Sequence, residues 1–149
     1  MLRVERLVLL QAAAALHAGF HHPHMPIVAL VTGGLLSALG ILGFALSDPR
    51  SLTALIPLAF GTLLEACGAL ALRPELKKHA MHGAAVVSLL GILGSAPGAI
   101  SFLRLITGGD VARPFAVKIQ AAMFIICAVF LVLCVRSFQE ARARRIASS

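Results

Sequence analysis

Tyrosine and tryptophan are both absent from the 149 residues, and eight phenylalanines are the only aromatics. A chain so poor in rings has little with which to stack bases, so nucleic acid is not an expected partner. Charge is also scarce: 13% of the residues are charged, against roughly 25% in an average soluble domain. Scarce charge with abundant apolar residues also rules out a disordered chain, which needs the opposite balance. The three cysteines, Cys67, Cys127 and Cys134, form no C-x-x-C pair and have no histidine at zinc-finger spacing. Each lies inside an apolar run, where a free thiol packs as a small hydrophobe. No phosphate-cradling glycine loop, nucleophile elbow or H-E-x-x-H is present. The sequence therefore points to no enzymatic activity and no cofactor.

What the chain does have is apolar length. Hydrophobic residues make up 59% of it, and the mean hydropathy is +0.94. Four apolar segments stand out, residues 26–46, 52–72, 80–106 and 115–135. About 20 helical residues cross the hydrocarbon core of a bilayer, so each segment is long enough to span. The links between them are short, which forces consecutive helices to lie antiparallel as neighbours. The expected fold is all-α: an integral membrane up-down bundle of four transmembrane helices over residues 25–149, with a short N-terminal interfacial segment. A basic, helix-forming tail, 136–149, follows the last span.

Punctuation supports these boundaries. Asp48-Pro49-Arg50-Ser51 closes the first span and offers Ser51 as an N-cap, Gly108-Gly109 closes the third, and Pro114 opens the fourth. Pro57 and Pro97 fall within spans, and the run Gly94-Ser95-Ala96-Pro97-Gly98 is where the third helix is expected to bend or break. Glycines crowd the first and third segments and are missing from the fourth. Small residues let helix backbones approach, so spans one to three are expected to form the tight core, with span four facing lipid or a partner.

Orientation follows from Lys and Arg in short loops. Arg3, Arg6, Arg73, Lys77, Lys78, Arg136, Arg142, Arg144 and Arg145 share one side; Arg50, Arg104, Arg113 and Lys118 lie on or near the other. Nine against four places both termini in the cytoplasm, as expected of a multi-pass protein of the inner (plasma) membrane. Residues 1–24 read either as a helix lying on the inner leaflet or as codons upstream of a start at Met25. A cleaved signal peptide is disfavoured, because removal would send the basic loop and tail outside.

Glu65 is the most informative single residue. An ionisable group inside a span is costly and defaults to a functional hypothesis. Gly61, Glu65, Gly68 and Leu72 share a face, so the carboxyl is expected to point into the bundle, with Thr32 at equal depth. It reads either as a proton carrier or as a protonated group that hydrogen-bonds a neighbouring helix. His79 and His82 lie at i,i+3 spacing on the membrane boundary. They are candidates for a metal or haem ligand or for a relay with Glu65, or else are interfacial histidines among basic residues. His17, His21, His22 and His24 form a second cluster, which lacks a carboxylate or thiol to complete a metal site. Arg73, Lys77, Lys78, Arg142, Arg144 and Arg145 flank spans, where each attracts anionic lipid headgroups by about 1 kcal/mol.

The runs Thr53-Ala54-Leu55-Ile56-Pro57, Cys67-Gly68-Ala69-Leu70-Ala71-Leu72, Lys77-Lys78-His79-Ala80-Met81-His82 and Leu133-Cys134-Val135-Arg136-Ser137-Phe138 carry a resemblance. The chain from Met25 onward resembles a family of uncharacterised small bacterial four-span integral membrane proteins. The resemblance implies a fold and a location, and no activity. In size the chain is also similar to the small multidrug resistance transporters. Those place their essential Glu in the first span among aromatics, a pattern this sequence departs from. The leading expectation is a non-enzymatic accessory or structural membrane component that associates with lipid, with copies of itself or with a larger membrane complex. The alternatives are a small proton-coupled transporter using Glu65 and a haem or quinone redox subunit using His82.

Overall fold

The computed structural model describes residues 25–47 and 52–147. Residues 1–24, with the first histidine cluster and the interfacial-helix expectation, lie outside the described residues, as does the Ser51 cap. Helix α1 covers Met25–Leu46, α2 covers Ile56–Leu70 after a 3-10 turn at Leu52–Leu55, α3 covers Lys77–Ile106 and α4 covers Pro114–Ala147. All four are long and apolar enough to cross a membrane, α2 when taken with its 3-10 turn as Leu52–Leu70. Their outward faces are apolar too: Val31, Leu93, Ile125 and Val129 are each more than half exposed. An apolar outer surface over helices with internally satisfied backbones is what a membrane-spanning protein presents.

The buried positions follow one rule. In α1 they include Ala29, Thr32, Leu36, Gly40 and Gly43; in α2 they are Pro57, Gly61, Leu64 and Gly68. In α3 they include Ala84, Ser88, Gly91, Ser95 and Gly98, and in α4 Met123, Cys127, Phe130 and Cys134. Steps of three and four residues keep one stripe of each helix against its neighbours.

Register gives the directions. Gly33 lies against Gly61 and Glu65, Gly40 against Leu58, and Gly68 against Leu30 and Pro26. As α1 numbers rise, α2 numbers fall, so the two helices are antiparallel. Gly91 faces Cys127 and Gly98 faces Gln120, which makes α3 and α4 antiparallel as well. The extensive contacts are within the pairs α1–α2 and α3–α4, with lesser ones between α2 and α3 and between α1 and α4. The molecule is two tight hairpins laid side by side.

Three expectations from the sequence need correcting. Helix α4 is not peripheral: Met123, Cys127, Phe130 and Cys134 are at most 2% exposed. Close approach requires small residues on only one of two facing helices, and Met123, Cys127 and Gln120 of α4 fill the hollows over Gly91 and Gly98 of α3. Pro57 is not an interior kink, because it sits in the first turn of α2, where its missing N–H has no partner to lose. Helix α3 is unbroken through Pro97. Boundaries shift too: α3 begins at Lys77, and α4 runs on past residue 135 to Ala147. The end of α3 is closed as its glycines indicate. Gly109 N–H donates to Arg104 O at 2.9 Å and Gly108 N–H to Leu105 O at 3.3 Å, with Gly108 at φ 84°. This is a Schellman closure, and it needs a left-handed residue that glycine supplies without strain.

Candidate functional site

Glu65 projects from α2 into the seam with α1. Gly33 stands directly opposite; a Cβ there would lie 2.6 Å from the Glu65 Cγ and 2.7 Å from the Gly61 carbonyl oxygen. The carboxyl is therefore reached by a hydroxyl one turn further along α1: Ser37 Oγ donates to Glu65 Oε1 at 3.3 Å. The partner is Ser37, where the sequence offered Thr32. Depth along the span cannot tell two positions on one helix apart; the antiparallel register, set by the glycines, does. Of the face expected with Glu65, Gly61 and Gly68 are buried against α1, while Leu72 lies beyond the helix and is exposed.

The second group of residues meets at the other end of the α3–α4 seam. His82 is exposed, and its Nδ1 donates to the Lys78 carbonyl oxygen at 2.8 Å, one turn back on α3. Its ring stacks on Phe138 of α4, with centroids 4.7 Å apart and planes inclined by 28°. These contacts hold His82 to α3 and α4, whereas the contacts of Glu65 are with α1. Among the described residues, no three of His, Cys, Asp and Glu gather as a metal site would need.

Around that ring pair lies a cavity of about 900 Å³, lined by Met25 from α1, Pro74 from the α2–α3 turn, Lys77, Lys78, Met81 and His82 from α3, and Cys134, Ser137, Phe138, Glu140, Arg142 and Arg144 from α4. Four cations face one carboxylate across it. The fold assembles this set because α3 starts, and α4 ends, beside the first residue of α1. Of the cationic candidates read from the sequence, Lys77, Lys78, Arg142 and Arg144 come together here. Arg73 is exposed in the turn, and neither it nor His79 lines the cavity. The side chain of Arg145 lies outside the described residues.

The apolar part of the lining, Met25, Met81, Cys134 and Phe138, was not singled out from the sequence. A signal for Phe138 exists: it continues the three-and-four stripe of Cys127, Phe130 and Cys134, but only once α4 is known to run past its apolar segment. Chemically, the cavity offers an apolar wall beneath a cationic rim. That combination suits the junction between the chains and the phosphate of an anionic lipid. Compared with family models, curated proteins and solved structures, the chain matches none of them.

Proposed function

We propose that the protein is a four-span integral membrane protein of the bacterial inner membrane, an up-down bundle with both termini cytoplasmic, that binds anionic phospholipid headgroups at its cytoplasmic end. It acts as a non-enzymatic accessory component, alone or within a larger membrane complex, and is a relative of the small four-span proteins its sequence resembles. One observation carries the reading: Lys77, Lys78, Arg142 and Arg144 line a single cavity in which Glu140 is the one carboxylate and Met25, Met81, Cys134 and Phe138 supply an apolar wall. Among the described residues the same end also holds Arg73 and Arg136, against Arg104, Arg113 and Lys118 at the other, the bias expected of a cytoplasmic face. Reading the protein as a transporter has no comparable support, since Glu65 lines neither this cavity nor the cleft at the far end.

A ligand that binds only the folded state raises stability by mass action. Thermal melts of the purified protein in neutral detergent, with added phosphatidylglycerol or phosphatidylcholine, test the proposal. A melting temperature that rises with phosphatidylglycerol and not with phosphatidylcholine supports it; equal shifts overturn it.

A further inference from the structure

At the opposite end of the molecule, where the two hairpins diverge, lies a cleft of about 580 Å³. This volume lies within the roughly 300–1,000 Å³ common for ligand pockets. Ile56 and Phe60 wall it from one hairpin, Phe115, Ile119 and Met123 from the other. Two observations separate it from a packing imperfection.

The first is Gly94, which lines the cleft. At Gly91, three residues earlier on α3, an added Cβ would meet Cys127 Sγ at 2.8 Å; at Gly94 it would meet nothing within 4 Å. Gly94 is thus a glycine that no helix contact requires, and its missing side chain widens the cleft. The second is how polarity is distributed. Ser95 Oγ donates to the Gly91 carbonyl oxygen at 2.6 Å and Ser47 Oγ to the Phe44 carbonyl oxygen at 3.1 Å, so these two hydroxyls are turned to their own backbone; Thr53 and Gln120 are the other uncharged polar residues of the lining. The lining cation is Arg113, in the loop immediately before α4. Around it, Arg104 and Lys118 outnumber Asp110 among the described charged residues of this end.

From these we infer that the cleft binds a long-chain fatty acid, its chain between the hairpins and its carboxylate against Arg113. One lining cation suits one monoanionic head, and walls that are mostly apolar suit a hydrocarbon chain. This site is separate from the basic cavity, and either can exist without the other.

The absence of tryptophan makes the test clean. Phe60→Trp places the protein's only indole in the cleft wall, and Val129→Trp places it on the exposed outer face of α4. Quenching by dibromostearic acid, in detergent, should be saturable for Phe60→Trp and non-saturable for Val129→Trp. The uncharged methyl ester should bind at least about fivefold more weakly, the worth of one lipid-facing cation. Adding Gly94→Leu fills the cleft without a packing clash and should abolish the saturable quenching. Adding Arg113→Gln, which changes an exposed side chain and keeps the backbone carbonyl that accepts from Val117 N–H, should bring the acid down to the level of the ester. Should Gly94→Leu fail to fold, the Arg113→Gln comparison decides alone. Identical quenching at both reporters, equal binding of acid and ester, or saturable quenching that survives the folded Gly94→Leu protein would each overturn the inference.

Discussion

Ser37 and Glu65 meet across the α1–α2 seam, the serine hydroxyl donating to the glutamate Oε1 at 3.3 Å. Glu65 is the only acidic residue in the four apolar segments, and Gly33 and Gly61 bring the two helices close enough for that bond. The pair joins the helices of one hairpin. It does not join the hairpins to each other.

Glutamine at 65 retains the shape and a hydrogen-bonding group, so Glu65→Gln should leave the thermal midpoint in detergent nearly unchanged. Leucine loses the bond and adds a branch at the carbon pressed against Gly33. Glu65→Leu should therefore lose on the order of 1–3 kcal/mol, from the bond and from overpacking together. A large loss in Glu65→Gln would show that the carboxyl does more than bridge the seam.

Glycines on these helices are not equivalent, and two alanine substitutions make the point. In Gly33→Ala the new methyl would lie 2.6–2.8 Å from the Glu65 side chain and the backbone of Gly61 and Glu65, and backbone cannot give way. That variant should lose about 1–3 kcal/mol. Gly94→Ala meets open space and should be neutral or gain up to about 1 kcal/mol from helix propensity. Chemical denaturation of both in one detergent checks the contrast.

Gly91 and Cys127 should behave as a coupled pair. Gly91→Ala pushes a methyl to 2.8 Å from Cys127 Sγ, and Cys127, fully buried, has nowhere to move. Cys127→Ala alone leaves a void. Combined, the two changes exchange volume across the α3–α4 seam, so the double variant should be more stable than the sum of the singles by about 0.5–3 kcal/mol. Additive losses would mean that the two side chains do not share that space.

Much of the fold was legible because long apolar helices advertise themselves by length and hydropathy, and short links leave consecutive helices one way to pair. The contact faces were harder to read. Glycine content marked α1 and α3 correctly but left α4 looking peripheral, since a run of Ile, Phe, Leu and Val reads alike whether it meets lipid or a glycine-lined groove. Pro57 and Pro97 were indistinguishable as prolines in apolar runs; only the helix boundary separates a first-turn proline from an interior one. At the site, the cations at 77, 78, 142 and 144 could be assigned to one side by parity alone. That they ring a cavity with Phe138 and Met81 could not, because it depends on α4 extending beyond its apolar segment. For Glu65 the sequence identified the residue and the seam's small neighbours, and missed Ser37.

The proposed orientation rests on the clustering of Lys and Arg. Reporter fusions in the turn between α2 and α3, and after Ala147, should both read cytoplasmic, and a fusion in the α3–α4 loop near Asp110 should read external. The reverse pattern would place the basic cavity on the outer face.

The central claim is that the cationic rim of the basic cavity holds an anionic lipid headgroup. The most direct measurement is the affinity of the purified protein for phosphatidylglycerol by native mass spectrometry, for the parent and for the triple variant Lys77→Gln, Lys78→Gln, Arg142→Gln. All three positions line the cavity and none belongs to the buried core, so the variant should fold. At about 1 kcal/mol for each cation near an anionic surface, the triple variant should bind on the order of a hundredfold more weakly. Its binding of phosphatidylcholine should match that of the parent. Undiminished phosphatidylglycerol binding by the folded triple variant would contradict the account.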